Sequence, residues 1–336
     1  MRVPCAQWRI GVLLLAGACA VAGEDSVLGI EATGEVHGIA YFDRNGNRRV
    51  DSGDTALAGL PVRLIAWGTR DTTARASSAT SGAFLFASVP VGRYVVAIGA
   101  SGYAESLDVV RVIPETVLVR PDSADTVLVA LSFPIVTISQ ARGLVFGDKV
   151  FVEGAVLNVR AAFGDSTVHL GDAAAAIRST RVRVTPLVLP GDSARFLGVR
   201  SERDGQPVLD EVVPFPLAPG PAPAPRTVSA PTAATADAGA LDAALVLVSN
   251  VTVVDTATIA GTGSPPNTDL RVLVDETPTD TLGRLEVLLD GHAGFSGGAL
   301  APFVPDAVLD VTGLLVPTAP GRWRLKPRSP ADVVVK

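Results

Sequence analysis

Residues 43–54 read DRNGNRRVDSGD, with VHGIAYF at 36–42 before them and LPVRLIAW at 60–67 after them. Oxygen-bearing side chains occupy loop positions one, three, five, nine and twelve, as Asp43, Asn45, Asn47, Asp51 and Asp54, and Arg49 offers its backbone carbonyl at position seven. This is the spacing by which a twelve-residue loop wraps a hard cation, with calcium as the natural occupant. The flanks are short, β-branched and aromatic, so the loop joins two strands rather than two helices. Position six, where such loops prefer glycine, is Arg48, which has to adopt a positive φ or displace the turn. The competing reading is a turn that binds nothing, because Asp and Asn suit turns on their own account.

Working outward, the loop belongs to a longer pattern: G-x-A-Y-F-D-x-N-x-N from Gly38, AGLPVRL at 58–64, and GAFLFASVPVGRYVVAI at 82–98. From Gly34 to about Leu131 the chain resembles the SdrD B-like repeats of bacterial surface proteins and the related carboxypeptidase regulatory-like domains. The resemblance implies a prealbumin-like β-sandwich of the kind found outside the cell. Related adhesin domains are locked by a Lys-Asn isopeptide bond, but the lysines here are Lys149, Lys326 and Lys336, none within this stretch.

The amino terminus, MRVPCAQWRIGVLLLAGACAVAG, has arginines at positions 2 and 9, an apolar run from Ile10 to Leu15, and an A-x-A pattern at Ala20 and Ala22. It reads as a secretory signal at 1–22, which places the protein outside the cell or in the envelope. A lipid anchor at Cys19 is the alternative. Cys5 and Cys19 are the two cysteines, so cleavage after Ala22 leaves no thiol, disulfide or cysteine ligand. No other stretch has the apolar length of a transmembrane segment.

Turn-forming residues separate short alternating runs almost throughout, so the predicted fold is all-β: a prealbumin/Ig-like β-sandwich followed by two small Greek-key, OB-like barrels. The sandwich with its calcium loop is assigned to 34–132. The barrels rest on a motif written twice. The first copy is GDKVFVEGAVLNV, STVHLGDAAAAIRSTRVRV and GDSARFLGVRSERDGQPVLD; the second is AALVLVSNVTVVD, TDLRVLVDETPTDTLGRLEVLL and PDAVLDVTGLLVPTAPGRWRLKPRSPADVVV. With TISQARGL before the first copy and GRWRLKPRSPADV closing the second, both resemble the OB-fold modules of secreted bacterial nucleases and surface proteins. Barrel one is placed at 135–217 and barrel two at 241–336. Between them, 218–240 reads as a Pro/Ala-rich linker from APGPAPAPR, then one short alanine-rich helix beginning at Ala230 and extending toward Ala244.

Charge argues against nucleic acid as the partner. From Phe133 onward there are 17 Lys and Arg against 21 Asp and Glu, with eight phenylalanines and one tryptophan, whereas single-strand binding needs a positive track with aromatic platforms. The local exception is Arg322, Arg324 and Arg328, alternating with Trp323, which form a candidate anion patch unless they simply face water around a buried tryptophan. Chemistry for catalysis is lacking. His37, His169 and His292 lie in separate segments with no zinc-ligand spacing, and the first two read as partly buried strand histidines. GFSGG at 294–298 misses the G-x-S-x-G elbow by a residue and reads as a loop.

The expectation is therefore a secreted or envelope-attached, non-enzymatic modular binding or structural protein, with calcium as a structural ion. Its partner would be a protein or polysaccharide at the cell surface. The alternative is an accessory single-stranded nucleic-acid- or carbohydrate-binding protein of an extracellular degradative system.

Overall fold

The computed structural model describes residues 32–98, 107–221, 223–261, 265, 267–276 and 283–336. The leader assigned to 1–22, and Cys19 within it, lie outside these residues. The described chain is a β-sandwich followed by two closed five-stranded barrels.

The sandwich contains β1 (Thr33–Phe42), β2 (Thr55–Ala56), β3 (Pro61–Ala66), β4 (Thr72–Ser77), β5 (Ala83–Pro90), β6 (Gly92–Ile98), β7 (Asp108–Ile113), β8 (Val117–Val119) and β9 (Ala124–Ser132). One sheet runs β2-β1-β9-β7, with β5 also on β1, and the other runs β4-β3-β6-β8. Strand β1 pairs in parallel with β9 from Glu35↔Ala124 to Phe42↔Leu131. Its alternation sends Val36, Gly38 and Ala40 inward and Glu35, His37 and Ile39 outward. His37 is thus on the solvent face, 2.9 Å from Glu35, and not partly buried as its apolar neighbours suggested. Gly38 is required for packing, since a Cβ there would lie 2.0 Å from the Phe84 ring.

The first barrel comprises β10 (Ile135–Val136), α1 (Ile138–Arg142), β11 (Lys149–Val156), β12 (Val168–Gly171), β13 (Ala176–Ser179), β14 (Ser193–Arg203) and β15 (Gln206–Ala218). The second repeats the plan with β16 (Arg226–Thr227), α2 (Ala230–Thr235), β17 (Leu245–Ala260), β18 (Thr268–Asp275), β19 (Leu285–Leu289), β20 (Val308–Ala319), β21 (Arg322–Lys326) and β22 (Val333–Val335). Each closes in the order first, second, third, fifth, fourth and back to first, through the β11–β14 and β17–β20 pairings. The third and fifth strands pair in parallel in both, at Arg178↔Val208 and at Glu286↔Arg324. This is the five-stranded Greek-key order of the OB-fold. The Asp204-Gly205 dipeptide, both residues at positive φ, makes the tight turn between β14 and β15.

Two features of the second barrel were not visible in the sequence. Strand β16 pairs with β17 at Arg226↔Val246, and α2 buries Ala230, Ala233 and Ala234, so this stretch is part of the barrel. The helix also stops early. Ala236 takes a left-handed conformation at φ 45 and caps α2, and Asp237, Ala238 and Ala243 have positive φ as well, so the alanine run turns instead of continuing.

The barrels are packed as one body. Leu157, Ala162, Phe163 and Ala176 of the first belong to the same buried cluster as Val246, Val287, Leu314 and Trp323 of the second. Polar contacts reinforce it. Arg142 donates to the carbonyls of Gly239 at 2.9 Å and Asp242 at 3.3 Å, and Trp323 donates Nε1–H to the buried Asp242 carboxylate at 2.8 Å. Lys326 pairs with Asp290 at 2.8 Å and sits 4.2 Å from the Phe163 ring centre.

Candidate functional site

The acidic loop follows β1 directly, and its hydrogen bonds stem from its side-chain ladder. Asp43 is fully buried; one carboxylate oxygen accepts the N–H of Asn47 at 3.1 Å and the other that of Arg48 at 2.6 Å. Asn45 Oδ1 accepts the N–H of Asn47, and Asn47 Oδ1 that of Arg49. Both asparagines also donate Nδ2–H to Asp51 Oδ2 at 2.9 Å. Asp54 closes the loop by accepting the N–H groups of Asp51 at 3.0 Å and Arg44 at 3.2 Å. Arg48 takes φ 63 and Gly46 φ 69, so the residue standing where glycine is preferred adopts the left-handed conformation itself.

Electrostatics in the loop follow from burial. Desolvation pushes the Asp43 carboxyl above the usual range, against the backbone N–H groups that favour its charge. Asp51 lies below the usual range because Gly53 N–H and the two asparagine amides donate to it. The neighbouring Tyr41 phenol is pushed up to about 12, mainly by burial and then by Asp43 and Asp54. No ion pair among the described residues engages Asp43, Asp51 or Asp54. Nor, among the described residues, do three or more Asp, Glu, His or Cys side chains gather at metal-holding distance. The oxygen set therefore depends on the asparagines and the backbone, hard donors of the type calcium takes, and each amide oxygen keeps a lone pair after accepting its N–H.

The loop leans on the first barrel, which no sequence pattern foretold. Arg195 donates Nη1–H to the Asn45 carbonyl at 3.1 Å and clamps Glu153 through Nε and Nη2 at 2.8 and 2.5 Å. A Cβ on Gly46 would lie 2.9 Å from Arg195 Nη1 and 3.3 Å from the Phe151 ring. Ser132 donates to the Asp43 carbonyl at 2.6 Å. A row of phenylalanines, Phe42, Phe133, Phe151 and Phe215, crosses the junction in successive contacts of 5.6, 6.3 and 5.9 Å between centroids. Beside it lies a cleft of about 820 Å³ lined by residues of the loop, the junction and the outer face of β14 and β15.

Arg322, Arg324 and Arg328 have different surroundings in the structure. Arg322 is exposed at the β20–β21 turn. Arg324 pairs with Glu286 at 3.2 Å on the outer face of the second barrel. Arg328 binds both oxygens of Asp332 at 2.9 Å and donates to the Leu157 carbonyl of the first barrel at 2.8 Å. Trp323 and Leu325 are buried between them.

OB-folds take oligonucleotides and oligosaccharides over their second and third strands. In the first barrel these strands, β12 and β13, are buried along their whole length. Ile177 faces that barrel's own core while its neighbour Ala176 joins the core of the second barrel, which covers this face. His169 is sealed there. Burial, then Arg178 and Lys326, push its imidazole down to about 3; its Nδ1 lies 3.0 Å from Asn158 Oδ1 and its Nε2 has no partner. In the second barrel the corresponding face carries Arg271 beside Asp255 and Arg324 beside Glu286, so its charges are internally matched.

Among the described residues no helix is long and apolar enough to cross a membrane. No protein-family model and no curated protein matches the chain. Among solved structures it is similar to the hypothetical protein ygiW of E. coli, at 17% identity over 25% of this chain and 89% of that one, TM-score 0.22. It is similar to the minor pilin of Streptococcus agalactiae, at 15% identity over 30% of this chain and 44% of that one, TM-score 0.23. It is similar also to the full-length major pilin SpaD of Corynebacterium diphtheriae, at 7% identity over 90% of this chain and 65% of that one, TM-score 0.23. The chain spans less than half the length of the minor pilin.

Proposed function

We propose that this chain is an exported, non-enzymatic structural module of the cell surface, in which a calcium-stabilised sandwich is set rigidly against a fused pair of OB-like barrels. The covered β12–β13 face carries this reading. Its surface supports a scaffold in which one barrel is a docking platform for the other, with Phe163 and Lys326 as the pin between them.

Calcium would be held by the side chains of Asp43, Asn45, Asn47, Asp51 and Asp54 and the carbonyl of Arg49. It would supply the positive charge that three carboxylates without an ion-pair partner otherwise lack, and no chemistry. The affinity expected of such extracellular loops is roughly 0.1 to 1 mM, a range in which the site is filled and senses nothing.

Two measurements on the chain from residue 23 onward test the reading. Small-angle scattering is expected to return a single rigid particle in calcium; a distribution of shapes would refute the spacer role. Retention on single-stranded DNA resin at low salt, released by added salt, would instead support the accessory nucleic-acid role.

A further inference from the structure

The outer face of β14 and β15 breaks the rule that a barrel turns polar side chains to water. Phe196 and Val212 point inward and are fully buried, yet the outward positions between and beside them are Leu197, Val199, Val213 and Phe215, with Leu197 directly opposite Val213. These four are half-buried and form the floor of the 820 Å³ cleft, closed on its far side by Phe42 and by Arg44, Asn45 and Asp51 of the acidic loop. A concave surface with an apolar floor and a charged rim, within the roughly 300–1,000 Å³ range of ligand clefts, is a candidate binding site.

The rim decides the class of ligand. Its cations are Arg44, Lys149, Arg181 and Arg183, against Asp51 and Glu211. Arg181 is satisfied, gripping Asp210 through Nε at 2.7 Å and Nη2 at 2.5 Å and reaching Glu211 at 3.3 Å. Lys149 lies 4.4 Å from the Phe133 ring centre. Arg44 and Arg183 are exposed, and no ion pair among the described residues engages either. Two uncompensated guanidiniums over an aliphatic floor match carboxylates spaced by aliphatic side chains, because a guanidinium presents a paired fork of N–H donors to a carboxylate. A nucleic-acid strand would want a continuous cationic track and open aromatic faces. Here the phenylalanines touch one another in a row, and Leu197, Val199 and Val213 of the floor are aliphatic.

We propose that the cleft between the acidic loop and the first barrel is a binding site for an acidic, apolar peptide segment of a partner protein, held by Arg44 and Arg183 over Leu197, Val199, Val213 and Phe215. This goes beyond the scaffold role and rests on the acidic loop being ordered, because Arg44, Asn45 and Asp51 of that loop form one wall of the cleft.

The test uses the chain from residue 23 onward, in calcium, with fluorescence anisotropy of a labelled peptide that alternates leucine and glutamate. Saturable binding is expected with a dissociation constant of roughly 0.1 mM or tighter. Arg44→Ala combined with Arg183→Ala, both at exposed positions, is expected to weaken it by about tenfold or more with the melting temperature unchanged. Arg75→Ala, on the exposed strand β4, is expected to leave it as it was. Absence of saturation at about ten times that concentration would overturn the proposal. So would equal binding of a leucine–lysine peptide, or indifference to the double substitution. Displacement of the peptide by a thymidine oligonucleotide at lower concentration than by unlabelled peptide would assign the cleft to nucleic acid instead, and the proposal would fall.

Discussion

Arg195, on the second-to-last strand of the first barrel, donates to the backbone carbonyl of Asn45, 150 positions earlier in the chain. The same guanidinium is anchored by Glu153 on β11, so the acidic loop and the barrel are tied through a side chain that cannot swing freely. Whatever orders the loop also orders the wall of the cleft beside it.

At about 10 mM calcium, a site of roughly 0.1 to 1 mM affinity stabilises the folded chain by about 1.4 to 2.7 kcal/mol, since only the native state binds. The melting temperature is expected to rise relative to chelator, and Asp43→Ala to abolish the difference. Identical melting curves for the unmodified chain in both conditions would rule out the metal.

Gly38→Ala is expected to destabilise the sandwich severely. The added methyl would lie 2.0 Å from the Phe84 ring, and Phe84 is itself buried against Phe86 at 5.8 Å, so the ring has no easy retreat. Overpacking of this kind costs about 1–3 kcal/mol or more. Urea unfolding followed by Tyr94 and Trp67 fluorescence would measure it; a loss well under 1 kcal/mol would contradict the packing described here.

Phe163→Ala tests the union of the barrels. Phe163 belongs to the first barrel by sequence and to the second barrel's core by contact. Removing a buried phenylalanine costs about 3–5 kcal/mol. Both barrels are expected to lose stability together, as a single shifted transition in Trp323 fluorescence and far-ultraviolet circular dichroism. Two separate transitions in the unmodified chain would show the barrels to be independent.

His169 sets a pH limit. Its imidazole falls from 6.5 to about 3 in the folded chain, so folding favours the neutral ring. That contribution is fully present above about pH 6.5 and is lost as pH falls toward 3, at about 1.4 kcal/mol per pH unit between those values. Replacing the ring by one that cannot be charged, His169→Phe, is expected to flatten the decline between pH 6 and pH 4 in denaturant unfolding midpoints. An unchanged slope would show that His169 is not responsible.

The sequence alone carried whatever depends on local spacing. Alternation along 36–42 and 82–98 placed the strands around the acidic loop, and the twice-written motif announced two barrels, because strand periodicity and turn chemistry act over a few residues. Of the two outcomes open to Arg48, a positive φ or a displaced turn, the structure has the positive φ. The alanine run from 230 forms the one short helix that its propensity favours, Ala230–Thr235, and the left-handed Ala236 ends it there.

What only the tertiary structure decided depends on which faces meet. The buried β12–β13 face, the reach of Arg328 to the Leu157 carbonyl and the sealed ring of His169 arise from packing one barrel on the other. The grip of Arg195 on Asn45 and the apolar cleft between loop and barrel arise from packing the sandwich on the first. A strand's period says which residues share a face, and nothing in it says whether that face will meet water, another barrel or a loop from far along the chain; that is settled by how much apolar surface each pairing removes from water.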